Sequence, residues 1–182
     1  MCRDENIPML KNIFITGNPG VGKTTLVHTL LKELDISAGG FYTQEIRVSG
    51  KRRGFKIITL DGREGILASV DIRSPHRVGR YGVNLQDLEE IGVQSIVKAL
   101  ESRRLIVIDE VGKMELFSEL FQQTLLQALD SEKAVLGTIM QRDNSFTRDI
   151  KKREDTEVIT LTRMNFKSVK EQIKTLLAKF PS

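Results

Sequence analysis

NIFITGNPGVGKTTLVHTLL, residues 12–31, is the stretch that decides the fold. Its first part, Asn12 to Thr16, is short and mostly apolar, which predicts a buried strand. A glycine-rich loop follows, and Lys23 to Leu34 predicts a helix because leucine and valine recur along one of its faces. A strand, a loop and a helix in this order predict an α/β protein built on a parallel sheet.

The loop carries the Walker A pattern G-x-x-x-x-G-K-[ST], with Gly17, Gly22, Lys23 and Thr24 at the fixed positions. Glycines let successive backbone N–H groups point at phosphate oxygens, and the N-terminus of the following helix adds a partial positive charge. Lys23 is predicted to act catalytically by reaching the β- and γ-phosphates, and the Thr24 hydroxyl to bind Mg²⁺. The predicted phosphate-binding residues are Gly17, Asn18, Pro19, Gly20, Val21, Gly22, Lys23, Thr24 and Thr25.

A second motif stands where the apolar run from Leu105 ends in two acids, Asp109 and Glu110. In an open α/β sheet such a strand places both acids at the carboxyl edge, where ligands bind. Asp109 suits the Walker B role of holding Mg²⁺, because a hard divalent cation prefers oxygen ligands. Glu110 is predicted to orient the water that attacks the γ-phosphate, or to accept its proton. The acid pair resembles additional-strand ATPases rather than GTPases, and no Asn-Lys-x-Asp guanine-reading motif follows.

The remaining chain predicts a sheet that is only partly parallel. Period-two patterns predict an antiparallel β-meander with strands at 40–48, 54–60 and 65–70, followed by a polar stretch at 71–83. The later predicted elements are a helix that Asn84 caps, a strand at 105–109, a helix at 118–129, a strand at 134–140 followed by a polar loop, a strand at 156–161 and a helix at 166–180. We therefore predict a single α/β domain over residues 1–182, a P-loop NTPase with a mostly parallel sheet flanked by helices and a β-meander insertion.

Composition excludes several classes of protein. Hydrophobic residues make up 40% of the chain and charged residues 29%, which is typical of globular rather than disordered chains. No segment approaches the roughly twenty apolar residues of a membrane span, and the N-terminus lacks an apolar signal segment, so we expect a cytoplasmic protein without membrane contact. Cys2 is the only cysteine, which excludes an intrachain disulfide and predicts a free thiol.

A net charge of +4 allows nucleic-acid binding but does not favour it. The basic residues are dispersed, and aromatic residues make up 5% of the chain with no Trp, which disfavours a base-stacking platform. No feature of the sequence indicates an oligomeric state.

Further side chains are candidates for the site. Lys113 follows Glu110 by three residues and is a candidate catalytic cation for charge on the transferred phosphoryl group, or else a solvated loop lysine. Glu115 is a candidate partner for Lys113. Arg80, in a glycine-containing stretch, and Arg142, after a predicted sheet strand, are candidate arginine fingers, against the alternative of ordinary surface arginines.

Three other polar residues favour ordinary structural roles. His28 and His76 have no Cys, second His or Ser nucleophile pattern near them, so we expect both to be solvated. Asn165 follows the last predicted strand, where a nucleotide base often lies, but it more simply caps the final helix.

Five segments together resemble the small nucleoside-triphosphatases of archaea, thermophilic bacteria and animals. They are Ile15 to Leu26, Gly39 to Glu45, Gly54-Phe55, Val78 to Asn84 and Ile108 to Leu116, and the last two are the most distinctive. The resemblance implies a RecA-like core and slow hydrolysis, with Mg²⁺, of ATP, GTP and other nucleoside triphosphates such as CTP and UTP to the diphosphate and phosphate. It also implies nucleotide-site residues in the second motif, namely Ile108, Asp109, Glu110, Val111, Gly112 and Lys113.

Two other functions remain open at this stage. A nucleoside or nucleotide kinase uses the same loop to hand the phosphoryl group to an acceptor, although Glu110 and the lack of an arginine-rich lid stand against it. A nucleotide-dependent switch on nucleic acid would use hydrolysis only to reset itself. Turnover stimulated by RNA or DNA, with a steep salt dependence, would identify such a switch.

Overall fold

The computed structural model of the chain describes residues 9–180, so Cys2 and its predicted free thiol lie outside the described residues. Within residues 9–180 the strands are β1 (Asn12–Thr16), β2 (Ala38–Val48), β3 (Lys51–Thr59), β4 (Glu64–Ser69), β5 (Arg77–Val78), β6 (Tyr81–Val83), β7 (Leu105–Val111), β8 (Ala134–Ile139) and β9 (Thr156–Thr160). The α-helices are α1 (Lys23–Glu33), α2 (Leu85–Asp87), α3 (Gln94–Ser102), α4 (Glu119–Asp130), α5 (Ser145–Lys151) and α6 (Phe166–Leu177).

All of these strands form one sheet, in the order β5-β6-β4-β3-β2-β7-β8-β1-β9. From β2 to β9 the neighbours are parallel, and from β2 to β5 they are antiparallel. Strand β8 lies between β1, which leads into the glycine-rich loop, and β7, which carries the two acids. This inserted middle strand and the parallel part of the sheet, formed by β2, β7, β8, β1 and β9, confirm the predicted P-loop NTPase fold.

Side-chain alternation covers both faces of the parallel strands. Phe14 of β1 packs into a cluster with α3 and α4, whereas Ile13 and Ile15 pack with α1 and α6 on the other face. Successive strand residues point to opposite faces, so a strand buried on both sides must be apolar at every position. The short apolar run of β1 therefore reflects its place in the interior of the sheet.

The meander is a continuation of the same sheet. Residues Ala38 to Phe41 of β2 pair in parallel with Leu105 to Ile108 of β7, and from Phe41 onward the same strand pairs antiparallel with β3. The predicted antiparallel region is thus present, but its first strand begins two residues earlier than predicted and belongs to both halves of the sheet.

Local structure departs from prediction at three places. The stretch at 71–83, predicted as a loop, contains the short hairpin β5–β6. The polar loop after β8 contains α5, whose N-terminus has a reciprocal pair of hydrogen bonds between Asn144 and Thr147 and whose Ile150 is buried. Both elements are too short for their sequences to show a recognisable periodic pattern of hydrophobic residues, so they were not predicted. The helix that begins after Asn84 is interrupted by a π-helical segment, Leu88–Val93, between α2 and α3.

Asn84 does cap this helix, since its side chain accepts a hydrogen bond from the backbone N–H of Asp87.

None of the helices within residues 9–180 has both the length and the apolar character needed to cross a bilayer.

A partly buried ion cluster stabilises the sheet edge opposite the glycine-rich loop. The Asp155 carboxylate, just before β9, accepts hydrogen bonds of 2.9 Å from Nε and Nη2 of Arg153 and lies 3.3 Å from Nζ of Lys11. Burial alone would raise the pKa of Asp155, but the hydrogen bonds and positive charges of Arg153 and Lys11 lower it to about 2.

We expect Asp155→Asn to lower the free energy of unfolding at pH 7 by about 1–3 kcal/mol. The folded-state pKa lies below the unfolded value of about 3.9, so the carboxylate stabilises the protein above pH 4 and this contribution is lost as the pH falls toward about 2. Urea unfolding of Asp155→Asn and of the unchanged protein, at pH values from 7 to 2, measures this contribution. The control is Asp71→Asn. The Asp71 side chain pairs with Arg53 but is 71% exposed, so its replacement should change the free energy of unfolding little. Equal losses in the two variants would contradict the assignment.

Candidate nucleotide-binding site

The glycine-rich loop connects β1 to α1 at the carboxyl edge of the sheet. Helix α1 begins after Gly22 without a side-chain cap, so its first backbone N–H groups are directed into the loop. The Lys23 ammonium lies inside the loop and donates to the carbonyl oxygens of Gly17, at 2.9 Å, and Asn18, at 3.1 Å. An uncapped helix N-terminus and a cation thus lie at the same loop, as phosphate binding requires.

A cavity of about 530 Å³ opens beside this loop. It brings together most of the predicted phosphate-binding residues, Glu110, and residues from β2 and β3. The lining consists of Gly17, Pro19, Gly20, Gly22, Lys23, Thr24, Thr25, Thr43, Glu45, Arg52, Phe55, Glu110, Ile139, Met140 and Gln141. Of the other predicted loop residues, Asn18 contributes its carbonyl oxygen, and Val21 packs against the apolar cluster beneath.

Asp109 lies two residues before the end of β7 and is almost completely buried, with 2% of its surface exposed. The Thr138 hydroxyl of β8 donates a 2.6 Å hydrogen bond to its Oδ1. Burial raises the pKa of Asp109, whereas the hydroxyls of Thr138 and Thr24 act to lower it. Its Oδ2 is buried and has no hydrogen-bond partner of ordinary geometry among residues 9–180.

This orphaned oxygen, on a carboxylate that interacts with the Thr24 hydroxyl, is the kind of ligand that Mg²⁺ prefers. The described residues contain no group of three or more His, Cys, Asp or Glu side chains that could hold a metal ion. That is consistent with Mg²⁺, which is usually held by one or two protein ligands together with water and substrate phosphates. Thr24 and Asp109 therefore fit the predicted metal-binding roles.

Of the two adjacent acids of β7, Glu110 is the one that lines the cavity. The register of β7 against β8 shifts between Ile108 and Val111, and the Asp109–Glu110 peptide bond is cis. Burial raises the pKa of Glu110, the charge of Asp109 raises it further, and Lys23 lowers it. Ile108 and Val111, also predicted as nucleotide-site residues, bury their side chains in the apolar core. Only their backbone atoms are available to a ligand.

Gly112 separates two acidic side chains. A Cβ at this position would come within 2.5 Å of Glu110 Oε1 and 3.1 Å of Glu115 Oε2. The Gly112 N–H donates to Glu115 Oε2 at 3.2 Å. Burial and the nearby Glu110 raise the pKa of Glu115 well above its ordinary value. The predicted Glu115–Lys113 pair is therefore wrong, because Glu115 is buried and Lys113 is exposed without an ion pair among the described residues.

Lys113 and Arg142 border a second cavity, of about 290 Å³, that shares Glu110 with the first. Its remaining lining is mostly apolar and includes Phe55, Leu67 and Met140. Both predicted cations thus share with Glu110 a cavity that the glycine-rich loop does not line.

Arg80 lies elsewhere, in the turn of the β5–β6 hairpin. Its Nη2 donates to the carbonyl oxygen of Arg52, at 2.7 Å, and to the Tyr81 hydroxyl, at 3.2 Å. Arg80 is not part of the lining that the described residues give to either cavity. The structure therefore does not bring Arg80 to the phosphate loop.

Several lining residues were not found from the sequence. Thr43, Glu45, Arg52 and Phe55 come from the β2–β3 hairpin, and Thr138 supports Asp109 from β8. The period-two pattern predicts the strands of the hairpin but not that one of its faces overhangs a distant loop. For Thr138 a signal was available, since a polar residue in an otherwise apolar strand marks a specific contact.

Three predictions about polar residues outside the cavity lining are wrong. His28 is half-buried against the ring of Tyr42, with ring centroids 4.2 Å apart, rather than solvated. The Asn165 side chain does not cap α6 but accepts from the Thr162 N–H at 2.7 Å and donates to the Thr160 carbonyl oxygen at 2.9 Å. His76 is likewise half-buried, against Phe117.

Comparison with known proteins identifies close relatives. Residues 12–174 match the family model described as NTPase. The nucleoside-triphosphatase THEP1 of Thermotoga sp. (strain RQ2) is 53% identical over 165 residues, covering 91% of this chain and 94% of the relative. The human cancer-related nucleoside-triphosphatase is 39% identical over 173 residues, covering 86% of this chain and 91% of the relative.

The fold agrees with solved structures of such proteins. The crystal structure of THEP1 from Aquifex aeolicus has a TM-score of 0.83 and 40% sequence identity, covering 91% of this chain and 98% of that one. The solution structure of the human cancer-related nucleoside triphosphatase has a TM-score of 0.81 and 37% identity, covering 94% of this chain and all of that one.

We expect Thr138→Val to raise the Mg²⁺ concentration for half-maximal nucleotide binding by about 10–100-fold, because the hydroxyl that orients Asp109 is lost. Titration of Mg²⁺ with a fluorescent triphosphate analogue measures it. The control is Thr59→Val, which removes a buried hydroxyl that donates to Asp61 outside the cavity. An unchanged Mg²⁺ requirement in Thr138→Val would contradict the assignment of Asp109 as a metal ligand.

Proposed function

This chain belongs to the nucleoside-triphosphatase family, and from that premise we propose that it hydrolyses ATP, GTP, CTP and UTP to the diphosphate and phosphate, with Mg²⁺. One observation carries the proposal. Glu110 lines the cavity of the phosphate loop directly after Asp109, whose Oδ2 has no hydrogen-bond partner among residues 9–180. Slow turnover is proposed from the family resemblance alone, and the cytoplasmic location stays a prediction.

The phosphate loop binds the triphosphate. Backbone N–H groups of the loop and of the first turn of α1 contact phosphate oxygens, and the Lys23 ammonium exchanges its carbonyl contacts for the β- and γ-phosphates. Negative phosphate charge is stabilised at a helix N-terminus because the helix dipole is positive there.

Thr24 and Asp109 are the residues that would hold Mg²⁺. The ion, when bound, neutralises charge on the β- and γ-phosphates. Thr138 fixes the orientation of the Asp109 carboxylate through its hydrogen bond to Oδ1.

Glu110 orients the attacking water and accepts its proton. The water oxygen forms a bond to the γ-phosphorus while the bond from that phosphorus to the β–γ bridging oxygen breaks, leaving nucleoside diphosphate and phosphate. A carboxylate within hydrogen-bond reach of that water is suited to both tasks. Because Glu110 is largely screened from solvent, its interaction with the water is stronger than it would be in bulk solvent.

Broad base specificity is supported by the loop between β9 and α6, which adjoins the phosphate loop. The ring of Phe166 would lie 3.8 Å from a Cβ placed on Gly22. In this loop the Asn165 amide is occupied by backbone contacts, and Met164 is 96% exposed and apolar. Stacking on an apolar side chain does not distinguish bases, whereas a site that hydrogen-bonds one base rejects others by large factors.

We expect kcat/KM for ATP, GTP, CTP and UTP to fall within about tenfold of one another, as discrimination without directed hydrogen bonds is small. Release of phosphate and formation of diphosphate, measured together for each nucleotide, test this. Equal amounts of the two products identify water as the acceptor. Diphosphate in excess of phosphate would favour a kinase, for which the mostly apolar second cavity beside Glu110 is the supporting observation.

We expect Glu110→Gln to keep nucleotide affinity within about threefold and to lower kcat by about 10²–10⁴-fold, because the amide cannot accept the proton of the water. Lys23→Ala should instead abolish tight binding. Equilibrium binding of a fluorescent triphosphate and steady-state phosphate release separate the two effects. Full activity in Glu110→Gln would remove Glu110 from the mechanism.

A further inference from the structure

The β2–β3 hairpin projects beyond the carboxyl edge of the parallel strands. Phe41 of β2 is the last residue that pairs with β7, opposite Ile108. The strand continues for seven more residues to Val48, and at about 3.3 Å per residue this carries it past the level of Asp109 and Glu110. Its partner β3 returns along it from Lys51. The hairpin therefore overhangs the phosphate-loop cavity.

Arg52 of β3 reaches that cavity from the hairpin. It lines the same cavity as Lys23, Thr24 and Glu110. No other arginine of the described residues belongs to this lining. Arg52 belongs to the part of the cavity wall that β2 and β3 supply, whereas Lys23 belongs to the part supplied by the phosphate loop and α1.

Arg52 is held in place by hydrogen bonds that, among the described residues, do not use all of its N–H donors. Its Nη1 donates to Glu45 Oε1 at 2.8 Å and its Nε to the Tyr81 hydroxyl at 3.1 Å. The guanidinium carbon lies 5.2 Å from the centroid of the Phe55 ring. Nη2 makes no hydrogen bond with the described residues. The group is thus oriented before any ligand binds and keeps N–H donors for an anion.

The charge around Arg52 favours an anion. Arg47 shares the Glu45 carboxylate, with Nη2 at 2.7 Å, and Arg80 shares the Tyr81 hydroxyl. This cluster therefore holds three guanidinium groups and one carboxylate, which pairs with Arg47 and Arg52. The excess positive charge lies at the rim of a cavity built for a polyphosphate.

We propose that Arg52 is the arginine finger of this chain, supplied by the β2–β3 hairpin in place of Arg80 or Arg142. It contacts oxygens of the γ-phosphoryl group through Nη2 while Glu45 and Tyr81 keep its orientation. Charge spread over the equatorial oxygens in the transition state is what such a guanidinium stabilises. The inference rests on the proposed hydrolysis, since it assigns a catalytic residue to that reaction.

The contacts of Arg52 would also be explained if it only braced the hairpin, and Arg47 separates the two roles. Arg47 and Arg52 are paired across the hairpin, both bind Glu45, and their side chains are 56% and 43% exposed. Arg47 does not line the cavity. Arg47→Ala therefore removes a comparable brace without removing the proposed catalytic contact.

The experiment compares Arg52→Ala, Arg52→Lys and Arg47→Ala with the unchanged protein, using phosphate release, triphosphate binding and thermal unfolding. We expect Arg52→Ala to lower kcat by about 10²–10³-fold with KM within about threefold, because the contact is made in the transition state. Arg52→Lys should recover only a small part of the kcat that is lost in Arg52→Ala, since an ammonium lacks the planar fork of hydrogen-bond donors. The kcat of Arg47→Ala should stay within about twofold of that of the unchanged protein.

Chemical rescue gives a readout that a brace would not produce. Low, non-denaturing guanidinium chloride should raise kcat of Arg52→Ala several-fold and leave Arg47→Ala unchanged, with sodium chloride at equal ionic strength as the control. Equal losses in Arg52→Ala and Arg47→Ala, or a raised KM at unchanged kcat, would overturn the proposal. Failure of the unchanged protein to release phosphate would instead contradict the proposed hydrolysis, so the two failures are distinguishable.

Discussion

The parallel pairing of β8 with both β1 and β7 is the constraint on which the site depends. Ile15 of β1 lies opposite Thr138, and Ile108 of β7 lies opposite the preceding residue, Gly137. The two outer strands therefore end at the same level, on either side of Thr138. The phosphate loop leaves from one of them and the acids from the other, so the hydroxyl of the middle strand is within reach of Asp109. A slip of the β7–β8 register by one residue would turn the polar ends of these strands toward opposite faces.

This edge concentrates acidic groups at a cost in stability. Burial raises the pKa of Asp109, Glu110 and Glu115, and the mutual proximity of these acids raises the values for Glu110 and Glu115 further. Buried carboxylates without cationic partners destabilise a fold. The ion cluster around Asp155 at the opposite edge has the reverse character, because its acid is paired with Arg153 and Lys11. The contrast marks the carboxyl edge as the functional one.

The sequence predicts the site where chemistry depends on residues close together in the chain. The loop from Gly17 to Thr24 and the pair Asp109-Glu110 follow from local patterns and from the rule that ligands bind at the carboxyl ends of strands. It does not predict contacts that depend on how distant strands pair. Asn165 at the start of a helix is a sound candidate for a cap, but its amide is within reach of competing backbone groups in the preceding loop. The pairing of Glu115 with Lys113 fails for a related reason, since Gly112 turns the chain so that Glu115 packs inward.

Arg52 shows why part of the site lies beyond local prediction. Its position follows from β2, which pairs with β7 over its first residues and with β3 over the rest. At Gly40 in this strand φ is +113°, and a Cβ there would come within 2.1 Å of the Val107 carbonyl oxygen. Only glycine allows β2 to pack this closely against β7 before it leaves the parallel sheet. Without this close approach the hairpin would not be seated on β7, and Arg52 would have no fixed position over the phosphate loop. Gly40 therefore matters to the site although it lies outside the lining of the phosphate-loop cavity.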